Sequence, residues 1–217
     1  MGEAELIKHN NQLIVHASII IYGDAASDDI ATFIAADIAH FWNAANGKAT
    51  IKKQMVDIRF NIEGTWDKQL IPETIYENTN PRNNYFRIEE YASGNISFVD
   101  GINSNTGYFK LDNLLHKSTT AAHEFGHTIG LDHPKELDIR GKGTPGIMYP
   151  RGTIVDNIYQ YDPNAKPNGP GGTINPFSRK VLQTDIDNLR LQKLDFNAAG
   201  FAILGGFTSI WHDKHLA

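Results

Sequence analysis

The sequence predicts an α+β fold, and three features of its apolar pattern carry this prediction. Segments that are rich in β-branched residues, or that alternate apolar and polar residues, dominate the first half of the chain and indicate strands. One long helical pattern lies among them, and a second follows just after the middle of the chain. A third helical pattern comes after a long stretch rich in Pro, Gly and Asn.

The first half of the chain opens with a strand and a helix. Residues 13–22 are an almost continuous run of apolar and β-branched side chains, which predicts a buried strand. Ser27 can cap the helix that follows, and Asn46-Gly47 supplies its stop. Three further strands are predicted, at residues 56–62, 85–91 and 96–99.

The second half contains two helices separated by an irregular stretch. Ser118 or Thr119 can cap the second helix, which runs to Ile129. Residues 134–172 are dominated by Pro, Gly and Asn, so regular structure should be sparse there. Residues 178–194 return to helical periodicity and predict the last helix.

A segment rich in Gly and Asn, residues 100–113, lies between the strands and the second helix. We interpret it as an ordinary surface turn. A calcium-binding loop is the alternative, because calcium takes oxygen ligands, but the segment lacks the ligand spacing of a defined calcium loop.

Length and composition restrict the class of protein. With 217 residues, 41% of them hydrophobic, we expect one domain over residues 1–217 and a monomer. The net charge of −5 and the absence of a basic cluster argue against nucleic acid, so the expected partner is a polypeptide. The chain has no cysteine, which excludes disulfide scaffolds and catalytic thiols. The longest apolar stretch, residues 13–21, is far short of the about 20 residues that span a membrane.

The predicted second helix carries the sequence HEFGHTIGLDH, which fits His-Glu-x-x-His-x-x-Gly-x-x-His at every fixed position. His123 and His127 are four residues apart on one helix face, so both imidazoles can reach one zinc ion. Gly130 can adopt a positive φ and end the helix, which brings His133 in as the third ligand. Glu124 lies beside the first ligand and can act as a base without binding the metal.

Three protein ligands and an open fourth position are typical of catalytic zinc sites. Zinc there lowers the pKa of a water molecule toward about 7, and Glu124 can pass the proton to the leaving amine. By chance the five fixed positions would occur with a frequency on the order of 10⁻⁴ in a chain of this composition. We therefore predict a zinc-dependent endopeptidase, with a zinc-stabilised binding module that lacks turnover as the alternative.

The motif resembles that of the metzincin zinc metallopeptidases, in which a tight turn places a methionine under the metal. The sequence GIMYP at residues 146–150 looks like this Met-turn, with Met148 as the methionine, and is most similar to the matrixin form. The sequence VLQTDIDNL at residues 181–189 looks like the last matrixin helix, and Asp185 stands where an aspartate supports the Met-turn. The resemblance covers residues 118–190.

This resemblance implies two lobes around a zinc cleft. The upper lobe, about residues 1–133, would be a twisted mixed sheet backed by two helices. The lower lobe, about residues 134–217, would be small and irregular and would end in a helix. An extended substrate would pair with the edge strand at residues 96–99, and residues 134–172 would shape the pocket for the side chain after the scissile bond.

The start of the chain lacks the basic and apolar regions of a signal peptide. We expect an exported or extracellular protein of which this chain is a processed or excised piece. Two roles stay open, a degradative secreted protease and a toxin-like protease domain released from a larger protein.

Overall fold

The structure is a computed structural model that describes residues 1–115 and 118–217. Within these residues, one mixed sheet of eight strands and four α-helices confirm the predicted α+β class. The strands are β1 (Gly2–Ile7), β2 (Gln12–Tyr22), β3 (Lys48–Ile51), β4 (Gln54–Trp66), β5 (Asn83–Glu89), β6 (Phe98–Val99), β7 (Thr106–Lys110) and β8 (Phe201–Leu204). The helices are α1 (Asp28–Ala44), α2 (Pro72–Tyr76), α3 (Thr120–Thr128) and α4 (Gln183–Asn188).

The sheet has the strand order β3-β4-β2-β5-β7-β6. Strands β4, β2, β5 and β7 are parallel, whereas β3 and β6 pair antiparallel at the two edges. Strand β1 runs antiparallel beside the first half of β2, and β8 pairs with β1. The short edge strand β6 also contacts α3, so this edge of the sheet lies next to the helix that carries the histidine motif.

Burial in the core explains why the first strand and helix form as predicted. Leu13 and Ile21, at the two ends of the apolar run in β2, are fully buried. Helix α1 packs on β4 and β2 through buried residues such as Trp42. The Ser27 hydroxyl accepts a hydrogen bond of 3.3 Å from the backbone N–H of Ile30, which is the predicted N-cap.

Elements β1, β3, α2 and β8 were not predicted from the sequence, and two further segments differ from what was predicted. Residues 106–110, inside the predicted turn, form β7 because they pair with β5 on one side and β6 on the other. The last helix was predicted over residues 178–194 but α4 spans only Gln183–Asn188. Arg190 has a left-handed φ of 51°, which ends the helical path, and a short 3₁₀ turn follows at Leu191–Lys193.

The predicted lobe division assigns the C-terminal residues to a lower lobe that ends in a helix, but in the structure they return to the sheet, because β8 pairs with β1. After β8, the ring of Trp211 stacks on Tyr22 of β2 with centroids 4.7 Å apart. The ring of His215 stacks on Tyr108 of β7 at 4.0 Å. The tail therefore packs along the sheet. No helix of the described residues is long and apolar enough to cross a bilayer.

Candidate metal centre

Helix α3 is buried along its whole length, which fixes the position of the motif. The ring of Phe125 packs edge-on against Trp42 of α1, with centroids 5.9 Å apart. The indole Nε1–H of Trp42 donates a hydrogen bond of 3.1 Å to the backbone carbonyl of Ala122. Helices α1 and α3 are thus joined by ring packing and by a directional bond.

Gly130 ends α3 as predicted, with φ of +106°, a conformation that side chains disfavour. The N–H of Leu131 then reaches back to the carbonyl of Gly126 at 2.9 Å, and Gly130 N–H donates to the carbonyl of His127 at 3.1 Å. This turn redirects the chain so that His133 faces the two helical histidines. The structure therefore brings the three predicted ligands together.

The three imidazoles converge through their Nε2 atoms. Nε2 of His133 lies 3.1 Å from Nε2 of His123 and 3.1 Å from Nε2 of His127. The opposite ring nitrogens contact backbone carbonyls: His123 Nδ1 lies 2.7 Å from the Ile147 oxygen, and His127 Nδ1 lies 2.8 Å from the Leu131 oxygen. For His127, Nδ1–H donation to the Leu131 carbonyl assigns the tautomer in which Nε2 keeps its lone pair.

These contacts fit a zinc ion. Zinc bonds to imidazole nitrogen at about 2.0–2.1 Å, so two ligands at the tetrahedral angle lie roughly 3.3 Å apart, close to the observed separations. With a lone pair on His127 Nε2, the single Nε2 of His133 cannot form a normal hydrogen bond with both neighbours in any neutral tautomer, and a cation supplies the missing partner. Among the described residues, this is the only cluster of three or more His, Asp or Glu side chains able to hold a metal.

Burial lowers the pKa of all three histidines from the ordinary value, and that of His123 most clearly. Neutral imidazole is the form that binds a metal, so the environment of the cluster favours the ligand state.

Glu124 is buried beside the cluster, with 7% of its surface exposed. Burial raises its pKa to about 8, and the charge of Arg179 and the backbone N–H of Val99 in β6 oppose this rise. The positive charge of a metal at the histidines would lower this pKa further. The carboxyl is thus placed next to the predicted ligands and next to the edge strand.

The predicted Met-turn lies under α3. Met148 is 2% exposed, and its sulfur lies against Gly126. The Asp185 carboxylate accepts hydrogen bonds from Leu182 N–H at 2.8 Å and Ile147 N–H at 3.4 Å. Since the carbonyl of Ile147 contacts His123, Asp185 is connected to the histidine cluster through the backbone of one residue, Ile147.

A cleft with a volume of about 250 Å³ opens at the cluster. It is lined by His123, Glu124 and His133 together with Ile96 of the edge segment. A larger cavity of about 710 Å³ lies behind His133, but Glu124 and His123 do not line it, so the smaller cleft is the one that faces the proposed chemistry.

Arg179 lines the same cleft and was missed by the sequence analysis. It falls at the start of the predicted last helix, residues 178–194, where no local signal points to the site, and in the structure it lies between a 3₁₀ turn at Pro176–Ser178 and α4. Its Nε–H donates to the Thr119 hydroxyl at 2.9 Å and its Nη1–H donates to the Tyr149 carbonyl at 3.0 Å. Nη1 also lies 2.9 Å from Nδ1 of His123. Burial lowers its pKa to about 10, which leaves it charged at neutral pH.

The segment considered for calcium has its carboxylates engaged by other groups. Asp100 lies 2.9 Å from Nε2 of His212 in the tail and accepts a bond from the Thr106 hydroxyl at 2.6 Å. Asp112 lies 2.8 Å from Nζ of Lys110. Calcium at residues 100–113 stays a prediction with no support from these contacts.

The chain has little detectable similarity to known proteins. No protein-family model matches the sequence, and no curated protein matches it. Among solved structures, the chain is similar to that of myroilysin, with 16% identity and a TM-score of 0.31. The match covers 66% of this chain and 60% of the myroilysin chain, so it spans less than two thirds of that protein.

Proposed function

We propose that the protein is a zinc-dependent endopeptidase of the metzincin type. The observation that carries the proposal is the convergence of three histidine Nε2 atoms, 3.1 Å from one to the next along His123, His133 and His127. Glu124 is buried beside them and does not belong to the ligand cluster. This division between three neutral ligands and one separate carboxylate is that of a catalytic zinc site.

The residues of the chain have distinct tasks in this reaction. Zinc, when bound, would act as a Lewis acid that activates water and polarises the peptide carbonyl. Glu124 accepts the proton of the attacking water and delivers it to the leaving nitrogen. Burial keeps this carboxyl away from bulk water, so the proton stays within the cleft.

Strand β6 supports a polypeptide as the substrate. It is the edge strand of the sheet, and Ile96 and Ser97 just before it line the cleft. An extended peptide could add to this edge through backbone hydrogen bonds, which would place one of its peptide bonds near Glu124. Side-chain identity matters little in such pairing, which suits cleavage of varied polypeptides.

Metal content and proteolysis of an unfolded protein such as casein test the proposal. Zinc-loaded protein should contain one zinc per chain and cut casein, and a chelator should stop cleavage until zinc is restored. Glu124→Ala should keep zinc and lose at least about 10²-fold in turnover, the lower end of general acid–base contributions. His127→Ala should lose zinc as well as activity. The exposed Glu90→Ala is the matched control and should behave as wild type.

Two results would contradict the proposal. Near-normal turnover of Glu124→Ala at full zinc occupancy would remove Glu124 from proton transfer. Zinc-loaded protein that cuts no substrate would instead support the binding module without turnover.

A further inference from the structure

We infer that Arg179 and Arg151 form a carboxylate-binding pocket that selects an acidic group on the substrate residue following the scissile bond. The inference rests on the proposed endopeptidase function and names the substrate class that this site would prefer. The inference is based on the buried positive charge of Arg179, which has no role in the proposed reaction.

Arg179 is a buried cation whose hydrogen-bond partners are neutral. Only 5% of its surface is exposed. Thr119 and the Tyr149 carbonyl accept from Nε and Nη1, and no carboxylate oxygen of the described residues lies within 4.0 Å of the guanidinium. Glu124 acts on Arg179 only from beyond this distance. A buried charge without a carboxylate in direct contact is unfavourable, and a substrate carboxylate would compensate for it.

The position of Arg179 directs this charge into the cleft. Arg179 lines the 250 Å³ cleft together with Glu124 and His123, so a group bound there belongs to a residue next to the cleaved bond. Arg151 lines the same cleft from residues 134–172, which were predicted to shape this pocket. Two arginines therefore line a cleft whose only carboxyl, among the described residues, is that of Glu124, which is assigned to proton transfer.

Arg151 is exposed and has no carboxylate partner within 4.0 Å among residues 1–115 and 118–217. It also lines a smaller neighbouring cavity of about 110 Å³, together with Tyr161 and Phe177. The groove thus continues past Arg151, with polar residues such as Asp112 and Asn175 also in its lining, which leaves room for further substrate residues. A guanidinium binds a carboxylate through two parallel N–H bonds, a geometry that an amide cannot match.

A carboxylate at this place has two sources, an acidic side chain or the C-terminal carboxylate of a peptide. Paired peptides separate them. One pair, amidated at the C-terminus, differs only by Glu or Gln after the scissile bond. A second pair ends at that residue with a free or an amidated terminus. We expect kcat/KM to be about tenfold higher for the Glu peptide, and the ratio to shrink as salt is added.

Variants connect this preference to the two arginines. Arg151→Gln should reduce the Glu-to-Gln ratio several-fold, whereas Arg59→Gln, on the exposed side of β4, should keep the wild-type ratio. Arg151→Gln is the more informative variant, because Arg179→Gln also removes contacts to Thr119 and His123 and could lower activity for that reason alone. A preference for the free terminus with equal Glu and Gln rates would assign the carboxylate to the peptide end.

Equal rates within both pairs would overturn the inference while leaving the endopeptidase proposal intact. If zinc-loaded protein cuts none of the peptides, the proposed function fails, and binding of the same peptides to wild-type protein decides the inference. Fluorescence anisotropy should then show tighter binding of the acidic member and a smaller difference in Arg151→Gln. Equal affinities would overturn it.

Discussion

The sulfur of Met148 lies so close to the Cα of Gly126 that no side chain fits between them. A Cβ atom at Gly126 would come within 3.0 Å of this sulfur and within 3.4 Å of the Trp42 ring. The turn that carries Met148 therefore packs on α3 at the one position between His123 and His127 that has no side chain.

Gly126→Ala should destabilise the protein despite the better helix propensity of alanine. Overpacking of a core typically costs about 1–3 kcal/mol, more than the roughly 1 kcal/mol that alanine gains over glycine in a helix. Gly152→Ala is the control, because a Cβ there meets nothing within 4 Å. Urea unfolding measures both. If Gly126→Ala is more stable than wild type, the turn at Met148 must shift to accommodate the added Cβ atom without a loss of stability.

Asp185→Asn should change how stability depends on pH. Burial raises the pKa of Asp185 to about 6, above the about 3.9 of an unfolded aspartate. Between these values the folded state binds more protons, so the free energy of unfolding falls as pH rises from 4 to 6. Relative to Asp185→Asn, wild type should lose on the order of 2–3 kcal/mol across this window. Unfolding curves at pH 4 and 7 measure the difference, and a constant difference contradicts it.

Metal-free protein should become less stable below about pH 6.5, the ordinary histidine value. The pKa values of His123, His127 and His133 are lowered by burial, so the unfolded state takes up more protons in acid. Zinc should for the same reason stay bound at a pH somewhat below 6.5, where neutral ligands persist. Equilibrium dialysis against pH measures retention, and zinc loss centred above pH 6.5 would contradict the prediction.

Trp211→Ala should lower stability by about 1–3 kcal/mol, since it removes a stacked ring from Tyr22 and part of a small apolar cluster. Leu216→Ala is the control, because Leu216 is 86% exposed and should change stability by less than about 0.5 kcal/mol. Thermal unfolding compares the two. Equal melting temperatures would show that the tail does not contribute to the folded state.

The sequence predicted those elements whose signals are local. The Ser27 cap and the spacing of His123 and His127 depend on residues within one or two helical turns, and the structure has both as expected. Strand β7 was not predicted because it lies inside a segment rich in Gly and Asn that resembles a turn, and only its pairing with β5 and β6 makes it a strand.

The same reasoning explains the missed parts of the site. Arg179 is 56 residues from His123 in sequence, and its contact with the histidine follows from how the irregular segment folds over α3. The apolar spacing continues past α4 because Leu191 remains buried in the core although the backbone leaves the α-helical path. In the segment after α4, the apolar periodicity therefore reflects which side chains are buried and does not indicate how long the helix is.

Nδ1 of His123 and Nδ1 of His127 each contact a main-chain oxygen, those of Ile147 and Leu131, and Arg179 adds a side-chain contact to His123. In many metal sites a carboxylate side chain orients the ligand histidine, and one substitution removes it. Here evolution can replace the side chains at 147 and 131 while the orienting atoms persist, provided that the turns keep their shape. The orientation of the two histidines therefore depends on the backbone conformation, and side-chain substitutions at positions 131 and 147 do not change it.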